Sequence, residues 1–382
     1  MGIITTKFMI VISITCLLFV PSSLALFNDN QHFFKHTEKE SYTYYNYQNM
    51  TYLFFKLVAN NSEIMLLESL GTTYEGREIW MVKLSDNVNE NEEEPGIFLM
   101  GAHHGNEKPS YEVLIYFIKY MTENYYKENT DDDKDGLLNE DDIDGFDNDG
   151  DGLIDEDPSE DRVREIINNT QIFLIPMVNP DGVEYGEKGS RKNCVPNHGP
   201  FGFKKEITSY GVNLNRNYGY DWIYYYLFPI NYNLFFNLLD NSPNYRGPHP
   251  FSENETNAIR SFVENHKINI SLSYHTYSEI MFYPWYHTSK PTPDEDLFIS
   301  IGENMSRINK YPLLTGKKYI IPRYGGTLGT VENWLYGKYK IIAFTIELCK
   351  TRVPTDPAVV FDTCLKNIGV DLYICERALN LN

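Results

Sequence analysis

Apolar runs at Ile64–Leu70, Ile79–Leu84, Gly96–Met100, Gln171–Val178, Ile270–Tyr274 and Ile341–Ile346 read as strands. Several are apolar at nearly every position, the pattern of strands buried on both faces rather than one. Helical patterns lie between them. Tyr111–Tyr126 repeats apolar residues at three-to-four spacing after Pro109-Ser110, and Asp294–Lys310 and Pro357–Leu379 are amphipathic. Ser252-Glu253-Asn254-Glu255 reads as a capping box opening a helix to about His266. Strands alternating with helices predict an α/β fold, a central mixed, mostly parallel twisted sheet flanked by helices. No internal repeat or Pro/Ser-rich linker divides residues 26–382, which are read as a single domain.

The first 25 residues have a different pattern. Lys7 precedes the apolar stretch Phe8–Val20, and Pro21-Ser22-Ser23-Leu24-Ala25 supplies a small-residue exit. This is the layout of a secretory signal cut after Ala25, and the apolar stretch is shorter than the ~20 residues a membrane span needs. The expected location is therefore extracellular, free or at the cell surface, with no transmembrane segment after signal cleavage. Cys194, Cys349, Cys364 and Cys375 would remain, an even number that suits disulfides in an oxidising setting. Cys364 and Cys375 share one predicted helix about three turns apart, too far to bridge each other.

Charge is concentrated rather than spread. The chain carries 33 basic and 53 acidic residues, a net −20. Residues 131–161 alone hold sixteen Asp/Glu and one Lys, a local −15, so the rest is nearly balanced at −5. No basic patch of the kind a phosphate backbone attracts stands out, which argues against nucleic acid as a partner. The acidic stretch is read as an insertion with two calcium-loop-like ladders. One is Asp131-x-Asp133-x-Asp135-Gly136 with Asp142; the other is Asp147-x-Asp149-x-Asp151-Gly152 with Asp155. Neither has the bidentate Glu at position twelve, so the ladders are partial; the expected role of Ca²⁺ is structural, folding a long excursion between His104 and Arg191 and shielding it from proteolysis.

Met100-Gly101-Ala102-His103-His104-Gly105-Asn106-Glu107 directly follows a strand and precedes a helix, at the carboxyl end of a sheet where α/β ligands bind. A His-x-x-Glu pair alone is weak. Ser271-Leu272-Ser273-Tyr274-His275 ends another apolar strand with a histidine, so His104, Glu107 and His275 can converge from two strand ends. Two His and one Glu with a fourth position open is a catalytic zinc arrangement.

From about Tyr44 onward the chain resembles the zinc carboxypeptidase family of metallopeptidases. The resemblance is carried by Leu67–Gly71, Tyr74–Trp80, His104 with Glu107, Val178-Asn179-Pro180-Asp181-Gly182 and Gly189–Asn193. It continues through Gly211-Val212-Asn213-Leu214-Asn215-Arg216-Asn217, Gly247–Glu255, the His275 strand and Phe344-Thr345-Ile346-Glu347-Leu348. It implies a catalytic Zn²⁺ and hydrolysis of the C-terminal peptide bond, with peptide or protein C-termini as partners and a monomeric enzyme. Only His104 of the histidine pair has Glu at +3, so His103 supports the site rather than ligating.

By the same resemblance, Glu347 is the general base and Arg191 stabilises the tetrahedral oxyanion, a contribution of ~3 kcal/mol for such fixed charge. Asn215 and Arg216 clamp the terminal carboxylate, Tyr324 (or Tyr319) covers the bound substrate, and Glu332 occupies the deciding position of the specificity pocket. An acid at that position favours C-terminal Lys or Arg. Asn106 stands where many relatives have Arg, and Asn213 where many have Asp. No inhibitory pro-segment is evident between Ala25 and the start of the similarity. Two other readings fit parts of the chain: a related zinc amidase trimming cell-wall peptides, and an inactive calcium-dependent surface binding protein. The complete set His104, Glu107, His275, Arg191, Arg216 and Glu347 argues against the second.

Overall fold

A computed structural model describes residues 41–148, 154–186, 211–222, 244–315 and 327–381. Its strands are β1 (Met65–Thr72), β2 (Glu78–Leu84), β3 (Gly96–Met100), β4 (Gln171–Ile175), β5 (Ile270–Thr276), β6 (Ile280–Tyr283), β7 (Leu313–Thr315) and β8 (Ile342–Leu348). They form one sheet in the order β1-β2-β4-β3-β5-β8-β6-β7. The central run β4-β3-β5-β8 is parallel, as is β6 with β7, while β1-β2, β2-β4 and β6-β8 are antiparallel. The sheet is thus mixed and more parallel than antiparallel, as the alternation of strands and helices predicts.

The helices are α1 (Tyr47–Asn60), α2 (Pro109–Asn124), α3 (Glu160–Ile167), α4 (Pro180–Gly186), α5 (Asn254–Asn265), α6 (Glu295–Asn309), α7 (Val331–Trp334) and α8 (Pro357–Leu379). They cover both faces of the sheet, which is why the central strands lack alternation. Ile97 and Leu99 of β3 join a core with residues of α1, α2, α6 and α8. Phe98 and Met100, pointing the other way, join a second core with residues of α5 and α7. The described residues belong to one compact unit, Glu40–Asn382. The predicted signal and Cys194 lie outside the described residues.

Several elements differ from the sequence pattern. β4 stops at Ile175 because Pro176 has no N–H to continue the ladder. The helix after Ser252 begins one residue later than the capping box expects. Glu253 occupies its N-cap, and the Ser252 hydroxyl instead donates to Glu253 (2.8 Å) and accepts from Asn217 (2.9 Å). α1 escapes the pattern because Tyr52 and Phe55 leave large rings exposed beside its buried stripe of Met50 and Phe54.

The acidic insertion folds around its own carboxylates. Asp141 and Asp157 are buried and pair across an isolated bridge. Asp141 accepts from the amides of Asn148 (2.8 Å) and Asp155 (2.6 Å), and Asp157 from those of Asp132 (2.9 Å) and Asn139 (2.6 Å). Arg162 of α3 ties the tract to α8 through Glu376 at 2.6 Å. Cys349, Cys364 and Cys375 are buried thiols with no bridge among the described residues. No helix among those residues is long and apolar enough to cross a membrane.

Candidate metal centre

The loop after β3 is built for close approach. A side chain at Gly105 would meet the Gly182 backbone at 1.8 Å, so only glycine lets this loop lie against α4. Ser110 at the start of α2 accepts from the Ala102 amide at 3.0 Å and donates to the Glu107 carbonyl, fixing the loop at both ends. Asn179 donates to the His103 carbonyl at 3.3 Å. Asp181, next in that motif, anchors Arg77 (2.7 Å) and the Thr73 hydroxyl (2.7 Å). The Tyr74–Trp80 and Val178–Gly182 motifs are therefore scaffolding for the ligand loop.

His104, Glu107 and His275 meet as the sequence predicts, each offering a ligand atom within 4.8 Å of the others, and all three are buried. Glu107 Oε1 lies 3.0 Å from His104 Nδ1, and Glu107 Oε2 lies 3.0 Å from His275 Nδ1. Despite that separation His104 Nδ1 makes no hydrogen bond. A buried ring nitrogen aimed at a carboxylate without bonding geometry is the arrangement two ligands of one ion adopt, so the residues present fit a metal. His104 Nε2 faces Asn213 Oδ1 at 2.9 Å; donating its proton there leaves Nδ1 free to ligate. Burial alone would raise the Glu107 carboxyl, but the two imidazoles, His104 foremost, outweigh it and hold it well below the usual range. His103 points away, with Nε2 2.8 Å from the Tyr218 hydroxyl and its ring stacked on His275 at 5.7 Å.

The short 3₁₀ turn Leu214–Arg216 brings the substrate-clamp candidates alongside. Asn215 Nδ2 lies 3.2 Å from His275 Nε2, and Asn215 Oδ1 accepts from the Val331 amide of α7 at 2.9 Å. Arg216 donates to the Asn215 carbonyl at 2.6 Å and is near enough to His104 to disfavour its protonation, a smaller effect than burial. Glu347 is directly opposite His275 in the β5–β8 register. Glu332 of α7 is fully buried, its Oε1 accepting from the Thr345 hydroxyl at 2.7 Å. Arg191, Tyr324 and Tyr319 lie outside the described residues.

Of the calcium candidates, Asp131, Asp133 and Asp135 converge within 4.8 Å. Asp142 accepts from the Ser159 amide (3.0 Å), and Asp155 from the amides of Asp144 and Gly145 (both 2.8 Å). Both therefore have an oxygen committed to the backbone. Asp149 and Asp151 lie outside the described residues. Sequence reasoning missed Tyr286, whose hydroxyl is 2.8 Å from Thr345 Oγ1; no motif marks it, although Thr345 shares the site-facing side of β8 with Glu347 by period two.

Comparisons with known proteins place the chain in a family. Residues 50–361 match the zinc carboxypeptidase family. The chain is 27% identical over 348 residues to a zinc carboxypeptidase of Saccharothrix mutabilis subsp. capreolus, covering 87% of this chain and 69% of that one. Mouse carboxypeptidase A1 is 25% identical over 330 residues, covering 82% of this chain and 65% of its own length. Among solved structures, carboxypeptidase A from Helicoverpa armigera superposes with a TM-score of 0.66 at 17% identity, over 88% of this chain and 74% of that chain. Bovine thrombin-activatable fibrinolysis inhibitor, solved with a tick carboxypeptidase inhibitor, gives 0.66 at 18% identity, over 88% and 98%. The chain belongs to the zinc carboxypeptidase family of metal-dependent peptide hydrolases.

Proposed function

We propose that the protein is a secreted zinc metallocarboxypeptidase that removes the last residue of peptides and proteins. The observation carrying this reading is the meeting of His104, Glu107 and His275 beside Asn215, which joins a metal site to a carboxylate clamp. His104, Glu107 and His275 would hold a zinc ion, which would supply a bound water that ionises near neutral pH and a Lewis acid for the scissile carbonyl. Glu347 takes the proton the attacking water gives up and returns it to the leaving nitrogen. Arg216 meets both oxygens of the terminal carboxylate, and Asn215 adds an amide donor, so the last peptide bond is the one presented. Arg191 stabilises the developing oxyanion, and Tyr324 covers the bound substrate. The side chain beyond the scissile bond enters the pocket that Glu332 lines.

Zinc analysis, together with release of single amino acids from free and C-terminally amidated copies of one peptide, tests this reading. The expected result is metal-dependent release from the free peptide only. Equal cleavage of the amidated peptide, or a protein that takes up no zinc, overturns it.

The acidic insertion is assigned a structural Ca²⁺, supported by the convergence of Asp131, Asp133 and Asp135. Removing Ca²⁺ should lower both melting temperature and protease resistance. If neither changes, the assignment is wrong.

A further inference from the structure

Glu332, which the carboxypeptidase reading puts in the specificity pocket, has two carboxylate oxygens in different surroundings. Glu332 Oε1 is occupied by the Thr345 hydroxyl at 2.7 Å, while Oε2 is buried with no hydrogen-bond partner. Thr345 has one proton, and it goes to Glu332. The 2.8 Å contact between Tyr286 and Thr345 is then a bond donated by Tyr286, which leaves the phenol oxygen as an acceptor. A relay Tyr286 to Thr345 to Glu332 thus presents one carboxylate oxygen and one phenol oxygen.

This relay is firmly held. The Tyr286 amide donates to Asn333 Oδ1 at 3.1 Å, and its carbonyl accepts from the Thr327 amide at 2.8 Å. Asn333 is itself fixed by Asp221 at 2.8 Å. The amide next to Glu332, that of Val331, is gripped by Asn215, which also lies 3.2 Å from His275, so Glu332 sits beside the candidate metal centre. Burial, with Glu332 adding to it, pushes the Tyr286 phenol well above its ordinary range, so it stays a neutral donor.

A buried carboxylate oxygen without a partner is costly unless a ligand fills it. Lysine and arginine ask different things of such a site. A guanidinium pairs best with two oxygens in a plane, whereas an ammonium is a compact point charge satisfied by separate acceptors. We propose that this pocket selects C-terminal lysine over arginine, with Thr345 and Tyr286 as positioning residues that make Glu332 a one-oxygen acceptor. The inference rests on the carboxypeptidase reading and names its substrate class.

The test uses the zinc-loaded protein and peptides differing only in a last Lys, Arg or Phe. Wild type should give kcat/KM for Lys about tenfold or more above Arg, with Phe below both. Thr345→Val frees Oε1 and should bring the Lys and Arg values within about threefold, mainly by lowering KM for Arg. Tyr286→Phe should narrow the ratio less. Calorimetric titration of the Glu347→Gln protein with free lysine and free arginine should show the same order. An Arg or Phe preference in wild type overturns the inference, as does an unchanged Lys/Arg ratio in a Thr345→Val protein that melts like wild type. No release from any of the three peptides instead overturns the carboxypeptidase reading itself, and the inference with it.

Discussion

His275 and Glu347 are register partners across the parallel pair β5–β8, so a metal-ligand candidate and the base candidate are held by the same ladder of backbone bonds. Neither can shift along its strand without breaking the sheet at its centre. Such fixed geometry is what proton transfer at a metal-activated water requires.

Glu347→Gln keeps the side-chain shape and removes the base. The expected result is a fall in kcat of at least about 100-fold, with zinc content unchanged and KM moved by less than about threefold. Steady-state kinetics with metal analysis checks it. A variant retaining half its activity would remove Glu347 from the chemistry.

Asn213 orients His104 with an amide oxygen rather than a carboxylate. Asn213→Ala should weaken zinc retention by about 10–100-fold, the usual effect of losing such a partner. Asn213→Asp should strengthen it, because a carboxylate makes the ring a better donor to metal. Competition with a chelator measures both, and the opposite order would show that the contact does not support the metal.

Gly105→Ala drives a methyl group into the Gly182 backbone, where neither side has room to give. A loss of about 2 kcal/mol or more is expected, accompanied by weaker zinc retention because His104 is adjacent. Denaturant titration of the metal-free protein separates the two effects. A silent substitution would show that the loop and α4 are not packed this tightly.

Glu112 of α2 is fully buried and accepts from the Tyr42 hydroxyl (2.6 Å) and the Tyr45 amide (3.4 Å). Burial pushes its carboxyl from 4.5 up to about 7, against the lowering effect of those two donors. The folded chain therefore keeps a proton there that the unfolded chain has lost. Stability from this group is complete below pH 4.5 and is lost as pH rises through about 7, a change of roughly 3 kcal/mol. Glu112→Gln should remove that part of the slope. Denaturation curves of both proteins at pH 4.5 and 8 compare it directly, and parallel slopes would contradict it.

The sequence made the central strands legible because burial on both faces leaves no polar position to interrupt them. The metal ligands were legible for a related reason, since each ends or directly follows such a strand. β6 and β7 were not, being four and three residues long and too short to establish a period. α3 hid at the edge of the acidic tract, although Val163, Ile166 and Ile167 give it a buried stripe. The hydrogen-bonded cluster around Glu332 was the least legible part. Tyr286 and Thr345 arrive from distant segments and only folding links them by hydrogen bonds to Glu332, while Asn215, from a third, binds the neighbouring Val331 amide.

Asn213 and Asn215 sit two residues apart, yet one steadies His104 while the other touches His275 and fastens the helix that carries Glu332. A single tight bend thereby serves three duties at once. A change that loosened this bend would reach both histidines and the start of that helix at once, so substitutions here are expected to produce joint rather than separate losses.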